Sequence, residues 1–439
     1  MKRVLVISYY WPPTGGSGVQ RWVKFAKYLP SCGWQPVIYT PANPEQLAVD
    51  ESLCADIPEG TEVIRTRIIE PYGIYRALTG GRKAKGAGVN PLNAQHKSLA
   101  QRLAIALRGL LFIPDPRVWW VRPSVRHLRR YLREHPVDVM VTTGPPQSMH
   151  LIALGIRRSL GDKAPAWVAD FRDPWTEMFY FKHMGLTPWA QRRHRRLEQQ
   201  VLDGADAIVA VTPYVQRDFQ ARTQTPVHLV TNGFDPDDFA SRGKVSGDRF
   251  AVVHTGLFAS DGNPLALWDV LADRCRSVAG FAQALQIRLA GKVDPEIIEA
   301  VRSRGLGDNL VDLGYLQHGA TSVEQQSADL LILPLRQEPE YAKVLPGKIF
   351  EYLAARRPVL GIGQEDGAAA EVLRSTGAGV MCDWNAYDTI ASAVDRAWQQ
   401  HLDGSGDSGT ADISAYSRVS LSARMAQILE DISNKYIRQ

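Results

Sequence analysis

The chain has 439 residues, enough for two domains with substantial cores. At 45% apolar and 22% charged it has the composition of a folded globular protein, which excludes a disordered or fibrous one. Its four cysteines (Cys32, Cys54, Cys275, Cys382) lie far apart, with no C-x-x-C and no histidine at ligand spacing, which argues against a disulfide framework or structural zinc and for a reducing cytoplasm. The net charge of +5 hides an imbalance: the first 235 residues sum to +12 and the rest to −7, which suits an anionic partner (nucleic acid or a membrane) as well as a merely solvated surface.

In chain order, strand and helix patterns alternate from end to end. Met1-Lys2-Arg3 has the charge of a signal peptide, but the apolar run after it stops at Ser8. That is short of the roughly seven apolar residues a signal needs, and no run approaches the about 20 of a membrane span. Residues 4–8 read instead as a buried parallel strand closed by a Pro/Gly loop. A helix is expected over 19–29, with Val19, Trp22, Val23, Ala26 and Leu29 on one face, then a strand over 35–39. Further strands are expected at 63–67, 137–142, 166–171, 207–211 and 227–230, and then at 251–254, 287–290, 311–313, 330–333, 359–362 and 379–382. Helices over 295–304, 349–355 and 368–376 fall among them, and 421–432 closes the chain. Such alternation indicates parallel sheets covered by helices on both faces. The turn cluster from Asn232 to Asp238 divides the series. The expected organisation is therefore two Rossmann-like doubly wound α/β domains, 1–232 and 233–415, followed by a closing helical segment, 416–439.

Candidate chemistry concentrates in a few segments. The loop Pro12-Pro13-Thr14-Gly15-Gly16-Ser17-Gly18 follows a strand and opens a helix, where Gly15 and Gly16 would let backbone N–H groups approach an anion. It matches neither G-x-G-x-x-G nor the G-x-x-x-x-G-K-[ST] loop, so a dinucleotide fingerprint is not supported, and a tight turn accounts for it equally well. In Pro346-Gly347-Lys348-Ile349-Phe350-Glu351-Tyr352, Lys348 stands in the first turn of a helix beside free backbone donors, a pocket for a diphosphate. Glu351 follows on the same face, at a spacing that suits a ribose diol; an exposed i, i+3 Lys–Glu pair is the ligand-free alternative. The strand end Asp170-Phe171-Arg172-Asp173 offers a guanidinium and a carboxylate, with an ion pair or helix cap as the other account of Asp173. His150 opens a helical run, and Trp11, Trp175 and Trp189 suit sugar stacking or core. Over 97–112, Leu99, Leu103, Ala106, Leu110 and Leu111 form an apolar face with Lys97, Arg102 and Arg108 elsewhere, a pattern of bilayer docking or of core. No D-x-D stands at a strand end, so no metal site is expected.

The P-x-K-x-x-E-Y segment, followed by Pro358-Val359, resembles the donor-binding helix of GT-B glycosyltransferases of the family 4 (group 1) type. Other stretches match in the same order: the Pro-Pro-x-Gly-Gly loop, Thr143-Gly144-Pro145-Pro146, Ala169-Asp170-Phe171-Arg172-Asp173-Pro174-Trp175, Asn232-Gly233-Phe234-Asp235, His254-Thr255-Gly256 and Leu289-Ala290-Gly291-Lys292. The matches run from Arg3 to about Cys382, and two of these stretches are similar to a bacterial subgroup. The resemblance implies two Rossmann-like domains facing across a cleft, with a nucleotide-sugar bound mainly by the second and the acceptor by the first. Gly15, Gly16, Gly256, Lys292, Lys343, Lys348 and Glu351 are then donor-binding candidates, Arg172 and Asp173 catalytic candidates, and His150 an acceptor-side candidate. It also implies retention of anomeric configuration without a metal, and no cofactor, since the nucleotide-sugar is a substrate.

Three departures stand out. Gly256–Pro264 lacks the Arg and Lys that many members use to hold the diphosphate; Lys343 stands eight residues before Glu351 where a glutamate is usual; and Arg172 replaces a histidine. The expected function is a cytoplasmic, retaining transferase at the inner membrane face, moving sugar to a glycan or lipid-linked acceptor in cell-envelope polysaccharide synthesis. An anionic membrane surface is the expected further partner, met through the N-terminal domain. A sugar-nucleotide epimerase, a glycogen-phosphorylase-like enzyme and an inactive sugar-binding scaffold are the alternatives. Nucleic acid is not an expected partner, because no recognition motif accompanies the basic residues.

Overall fold

The computed structural model describes the chain except for residues 46–48, 71–111, 179–180, 241–247, 406–411 and 438–439. The amphipathic stretch over 97–112 lies outside the described residues but for Phe112. The chain forms two compact units: Met1–Thr231 with Ser422–Gln439, and Asn232–Leu421.

The first unit is built on a seven-stranded parallel sheet in the order β3-β2-β1-β4-β5-β6-β7. The strands are β1 (Lys2–Ile7), β2 (Trp34–Pro41), β3 (Glu62–Thr66), β4 (Val139–Gly144), β5 (Ala166–Phe171), β6 (Ala207–Ala210) and β7 (Val227–Leu229). Every residue of β4, β5 and β6 is buried, which is why these strands read as unbroken apolar runs: helices cover both sheet faces. The chain builds outward from β1 to β3, then returns to lay β4 on the other side of β1. The strand order therefore reverses between β1 and β4, and loops diverge at their carboxyl ends.

The second unit repeats the plan with six parallel strands in the order β10-β9-β8-β11-β12-β13. They are β8 (Phe250–Thr255), β9 (Leu285–Ala290), β10 (Leu310–Gly314), β11 (Leu330–Pro334), β12 (Val359–Ile362) and β13 (Gly379–Cys382), and the reversal falls between β8 and β11. All the strands read from the sequence are present, with ends shifted by two residues at most.

The closing helix runs from Arg418 to Ile437, longer than the 421–432 read from its apolar period. Its start is set by backbone pairing instead: the Phe234 N–H donates to the Tyr416 carbonyl at 3.1 Å and the Arg418 N–H to the Phe234 carbonyl at 2.7 Å. A Cβ on Gly233 would lie 2.2 Å from the Tyr416 oxygen, so this crossing admits only glycine. From Ser422 onward the helix belongs to the first unit, where Leu429 and Ile432 are buried and Lys2 pairs with Glu430 at 2.7 Å. Trp11 and Trp175 are buried, whereas Trp189 is 54% exposed. Among the described residues, no helix is long and apolar enough to cross a membrane.

Candidate functional site

In the second unit the candidate residues gather at the carboxyl ends of β8 and β9 and the start of the Lys348–Ala355 helix. Gly256 and Gly291 hold φ of +95° and +118°, and a Cβ on Gly291 would sit 2.4 Å from the Gly256 carbonyl, so the two loops cross backbone to backbone. The helix begins at Lys348 with Gly347 as its cap, so Pro346 stands just before the cap and not in the first turn. One turn in, Tyr352 bolts the helix to the sheet: its hydroxyl accepts from the Thr255 N–H at 3.1 Å and donates to the Ile332 carbonyl at 3.4 Å.

That anchoring places the Lys348 ammonium over Gly256, where it donates to His254 Nε2 and to the Leu257 carbonyl, each at 3.2 Å. The tautomer of His254 follows from its partners. Nδ1 faces only the Ile332 carbonyl, at 3.1 Å, whereas Nε2 lies 3.3 Å from the Leu257 carbonyl and 3.2 Å from the ammonium; a hydrogen on Nδ1 serves Ile332 and leaves the Nε2 lone pair for the ammonium, which can only donate. Burial, reinforced by the Lys348 charge, holds His254 well below the usual histidine range, so it stays neutral. Burial also pulls Lys348 down to about 8, with the Glu351 carboxylate acting against it. Two of the three ammonium hydrogens are used; the third has no partner among the described residues.

Glu351 is oriented by Gln325, whose amide donates at 2.9 Å both to Glu351 Oε2 and to the buried Thr255 hydroxyl. The Gln325 Oε1 atom is buried without a hydrogen-bond partner. The structure thus brings Gly256, Lys348 and Glu351 together and adds His254, Gln325 and Tyr352. His254 and Tyr352 stand in the sequence only as members of the His254-Thr255-Gly256 and P-x-K-x-x-E-Y motifs, and no motif or spacing marks Gln325. Lys292 and Lys343 are exposed, and their ammonium groups make no hydrogen bond or ion pair with described residues.

In the first unit, the loops after β1, β4 and β5 meet. Gly16, at φ +102°, precedes the Ser17–Tyr28 helix, whose start is bound by the Val19 N–H donating to the Gly16 carbonyl at 3.1 Å. Arg172 is committed to main chain: its guanidinium donates to the carbonyls of Gly18 (2.6 Å), Gly144 (3.3 Å) and Pro145. It therefore staples the Gly15–Gly18 loop to the turn after β4. Asp170, at 0% exposure, is paired with Arg21 at 2.9 Å and accepts from Trp22 (2.8 Å) and Thr143 (2.9 Å). Burial works against its charge, but Arg21 and these donors outweigh it and keep the carboxyl below its ordinary value.

Asp173 is part-buried; burial raises its carboxyl to about 6 although Arg172 opposes the rise. His150 lies beneath, at 0% exposure, stacked on Phe171 at 4.4 Å with Nδ1 2.8 Å from the Thr142 hydroxyl. Burial takes His150 down to about 3, so its imidazole is neutral at working pH. Its Nε2 and the Gln147 Oε1 are both buried without partners and both lie 2.5 Å from where a Gly144 Cβ would be.

Two doubly wound parallel sheets, each with a glycine-lined loop cluster at its reversal point, define the GT-B architecture of two Rossmann-like domains. The sequence agrees: residues 89–238 match the model of Glycosyltransferase Family 4, and residues 251–400 that of Glycosyl transferases group 1. Together these span well over half of the chain, which belongs to the GT-B glycosyltransferases of the group 1 type. No curated protein matches the sequence. Among solved structures, sucrose-phosphate synthase from Thermosynechococcus elongatus is similar over 100% of this chain and 98% of its own, at 14% identity and a TM-score of 0.57. A glycosyltransferase from Rickettsia africae follows at 13% identity, 100% and 97% coverage and 0.57. A UDP-N-acetylglucosamine 2-epimerase from Listeria monocytogenes gives 10%, 100% and 97%, and 0.54. At such identities the likeness is one of fold.

Proposed function

We propose that the protein is a retaining, metal-independent glycosyltransferase that moves a sugar from a nucleotide-diphosphate sugar to a glycan or lipid-linked acceptor at the inner membrane face, in cell-envelope polysaccharide synthesis. The observation that carries the donor half is the Lys348 ammonium, fixed by His254 and the Leu257 carbonyl with one hydrogen left over, one helical turn from a carboxylate oriented by Gln325. A diphosphate satisfies the free N–H and the helix N-terminus together, and Glu351 accepts from the ribose hydroxyls. In the transfer, the bond from the anomeric carbon to the diphosphate oxygen breaks and a bond to the acceptor oxygen forms. Negative charge then grows on the leaving diphosphate, where Lys348 stabilises it in place of a divalent ion. The acceptor hydroxyl loses its proton, and Asp173, poised near neutrality, is the carboxylate to take it. Arg172 acts as a positioning residue, holding the loops around Asp173. No cofactor enters this scheme.

Thermal shifts across UDP-, GDP- and ADP-sugars test the donor, because a true donor stabilises the folded unit by mass action. Product analysis tests the chemistry. Transfer to an acceptor supports the proposal, whereas epimerised free sugar would make the chain an epimerase on the fold it shares with the Listeria protein. Thermal shifts with no turnover would leave an inactive sugar-binding subunit.

A further inference from the structure

A groove of about 510 Å³ opens on the outer surface of the first unit, between the helices Val118–Glu134, Ser148–Leu160 and Pro188–Gly204. Its floor is aliphatic: Val121, Val125, Leu151, Leu154 and Leu197. Gly155 closes that floor, because a Cβ there would lie 2.6 Å from Val125, so the first two helices touch without a side chain between them. Five arginines stand around it: Arg122, Arg126, Arg129, Arg158 and Arg193. No carboxylate lines the groove, and none of the five forms an ion pair with a described residue; Arg158 donates only to Gln200, at 3.3 Å. The adjacent Arg157, by contrast, is paired with Asp206 at 2.6 Å. Arg122, Arg126 and Arg129 share one helical stripe with Trp119, which is 44% exposed, and Arg193 shares another with Trp189, 54% exposed.

Five like charges over an aliphatic floor leave a deficit that an anion with an apolar tail removes. The guanidinium forks match phosphate oxygens in pairs, the floor accepts methylenes, and tryptophans settle where hydrocarbon meets headgroups. A polynucleotide would satisfy the arginines but leave the floor wet. We propose that this groove seats the phosphate headgroups and first methylenes of an anionic phospholipid bilayer, and so docks the first unit on a membrane. The proposal rests on the reading of a transferase working at a membrane face and names the surface that holds it there. It is carried by the helices after residue 117, independently of the donor residues of the second unit.

The test is co-sedimentation of the full chain with vesicles of three parts phosphatidylcholine to one part phosphatidylglycerol, against phosphatidylcholine alone. The wild type should pellet with the mixed vesicles and be released at high salt. Arg126→Glu/Arg129→Glu should lower the partition coefficient by about 25-fold or more, from about fivefold per arginine removed. Arg302→Glu, exposed in the second unit, should not change it, and unfolding curves check that the double variant folds. Wild-type-like pelleting of a folded double variant overturns the proposal. So does tighter binding to single-stranded DNA than to the mixed vesicles at the same salt, which would make the groove a polyanion site. Donor hydrolysis should be unchanged in the double variant. Hydrolysis absent from the wild type with docking intact would strike the transferase reading and leave the groove assignment standing.

Discussion

The donor assignment makes Lys348 a titrating anchor, and its titration can be read directly. Burial lowers it from 10.5 to about 8, so about nine-tenths of molecules carry the ammonium at pH 7 and about one-tenth at pH 9. Only the charged form offers its spare N–H as a strong donor to a diphosphate. Affinity for the cognate nucleotide-sugar should therefore be flat below about pH 7 and fall about tenfold by pH 9. The bound anion favours the ammonium, so binding near pH 8 should take up a fraction of a proton, visible by calorimetry in buffers of different ionisation heat. Lys348→Met should lose about 1.5–3 kcal/mol, roughly 10- to 150-fold in Kd, and flatten the profile. Lys348→Arg should also flatten it by staying charged. The free protein should show the opposite trend in stability. Between pH 8 and 10.5 the unfolded chain binds more protons at this site than the folded one, so Lys348 makes stability rise with pH across that window. An alkaline limb of donor affinity that survives unchanged in Lys348→Met would refute the assignment.

Three further outcomes follow from the geometry. With Asp173 raised to about 6, kcat/KM should fall as pH drops through 6, and Asp173→Asn should remove that limb and cut turnover far more than donor affinity; normal turnover per folded molecule with a lowered Tm would make Asp173 structural. Asp170→Ala strands the buried Arg21 charge and should cost about 3–5 kcal/mol in urea unfolding, and a loss below about 1 kcal/mol would contradict the buried-pair account. Gly233→Ala drives a Cβ into the Tyr416 carbonyl and should destabilise by about 1–3 kcal/mol, seen as a lower urea midpoint, and an unshifted midpoint would mean the crossing can relax.

The strands were legible in the sequence because central parallel strands are buried on both faces, so runs such as 166–171 need no alternation to be recognised. Ends were less so, since they depend on partners far along the chain, as the start of the last helix depends on Phe234. The same division applies to function. Lys348 and Glu351 could be paired from spacing alone because three residues make one helical face. Their supports, His254 and Gln325, come from β8 and the helix before β11, and only the fold brings them within 3.2 Å and 2.9 Å. Arg172 shows the limit most clearly. A guanidinium at a strand end reads as a cation offered to substrate, yet its hydrogens go to three carbonyls of two loops.

That redistribution of roles bears on the missing cations of the group 1 pattern. With Arg172 engaged in holding loops and the Lys292 and Lys343 ammonium groups exposed, Lys348 is, among the described residues of the second unit, the one lysine built into a fixed frame. On the proposed donor reading, this frame is what would let a single residue serve. A neutral histidine lone pair and a carbonyl hold the ammonium in place without neutralising it, and burial keeps water from screening it. A free surface lysine would need to be ordered at the moment of binding, whereas this one is ordered already. The loss of the usual Arg/Lys pair after β8 is therefore compatible with a competent donor site, because preorganisation of one charge replaces the number of charges. His254→Ala tests this directly. If the frame matters, donor KM should rise about tenfold, the loss of one hydrogen bond to a charged group, while kcat changes little. If donor KM is unaltered, the frame is incidental, and the positive charge must come from elsewhere in the chain.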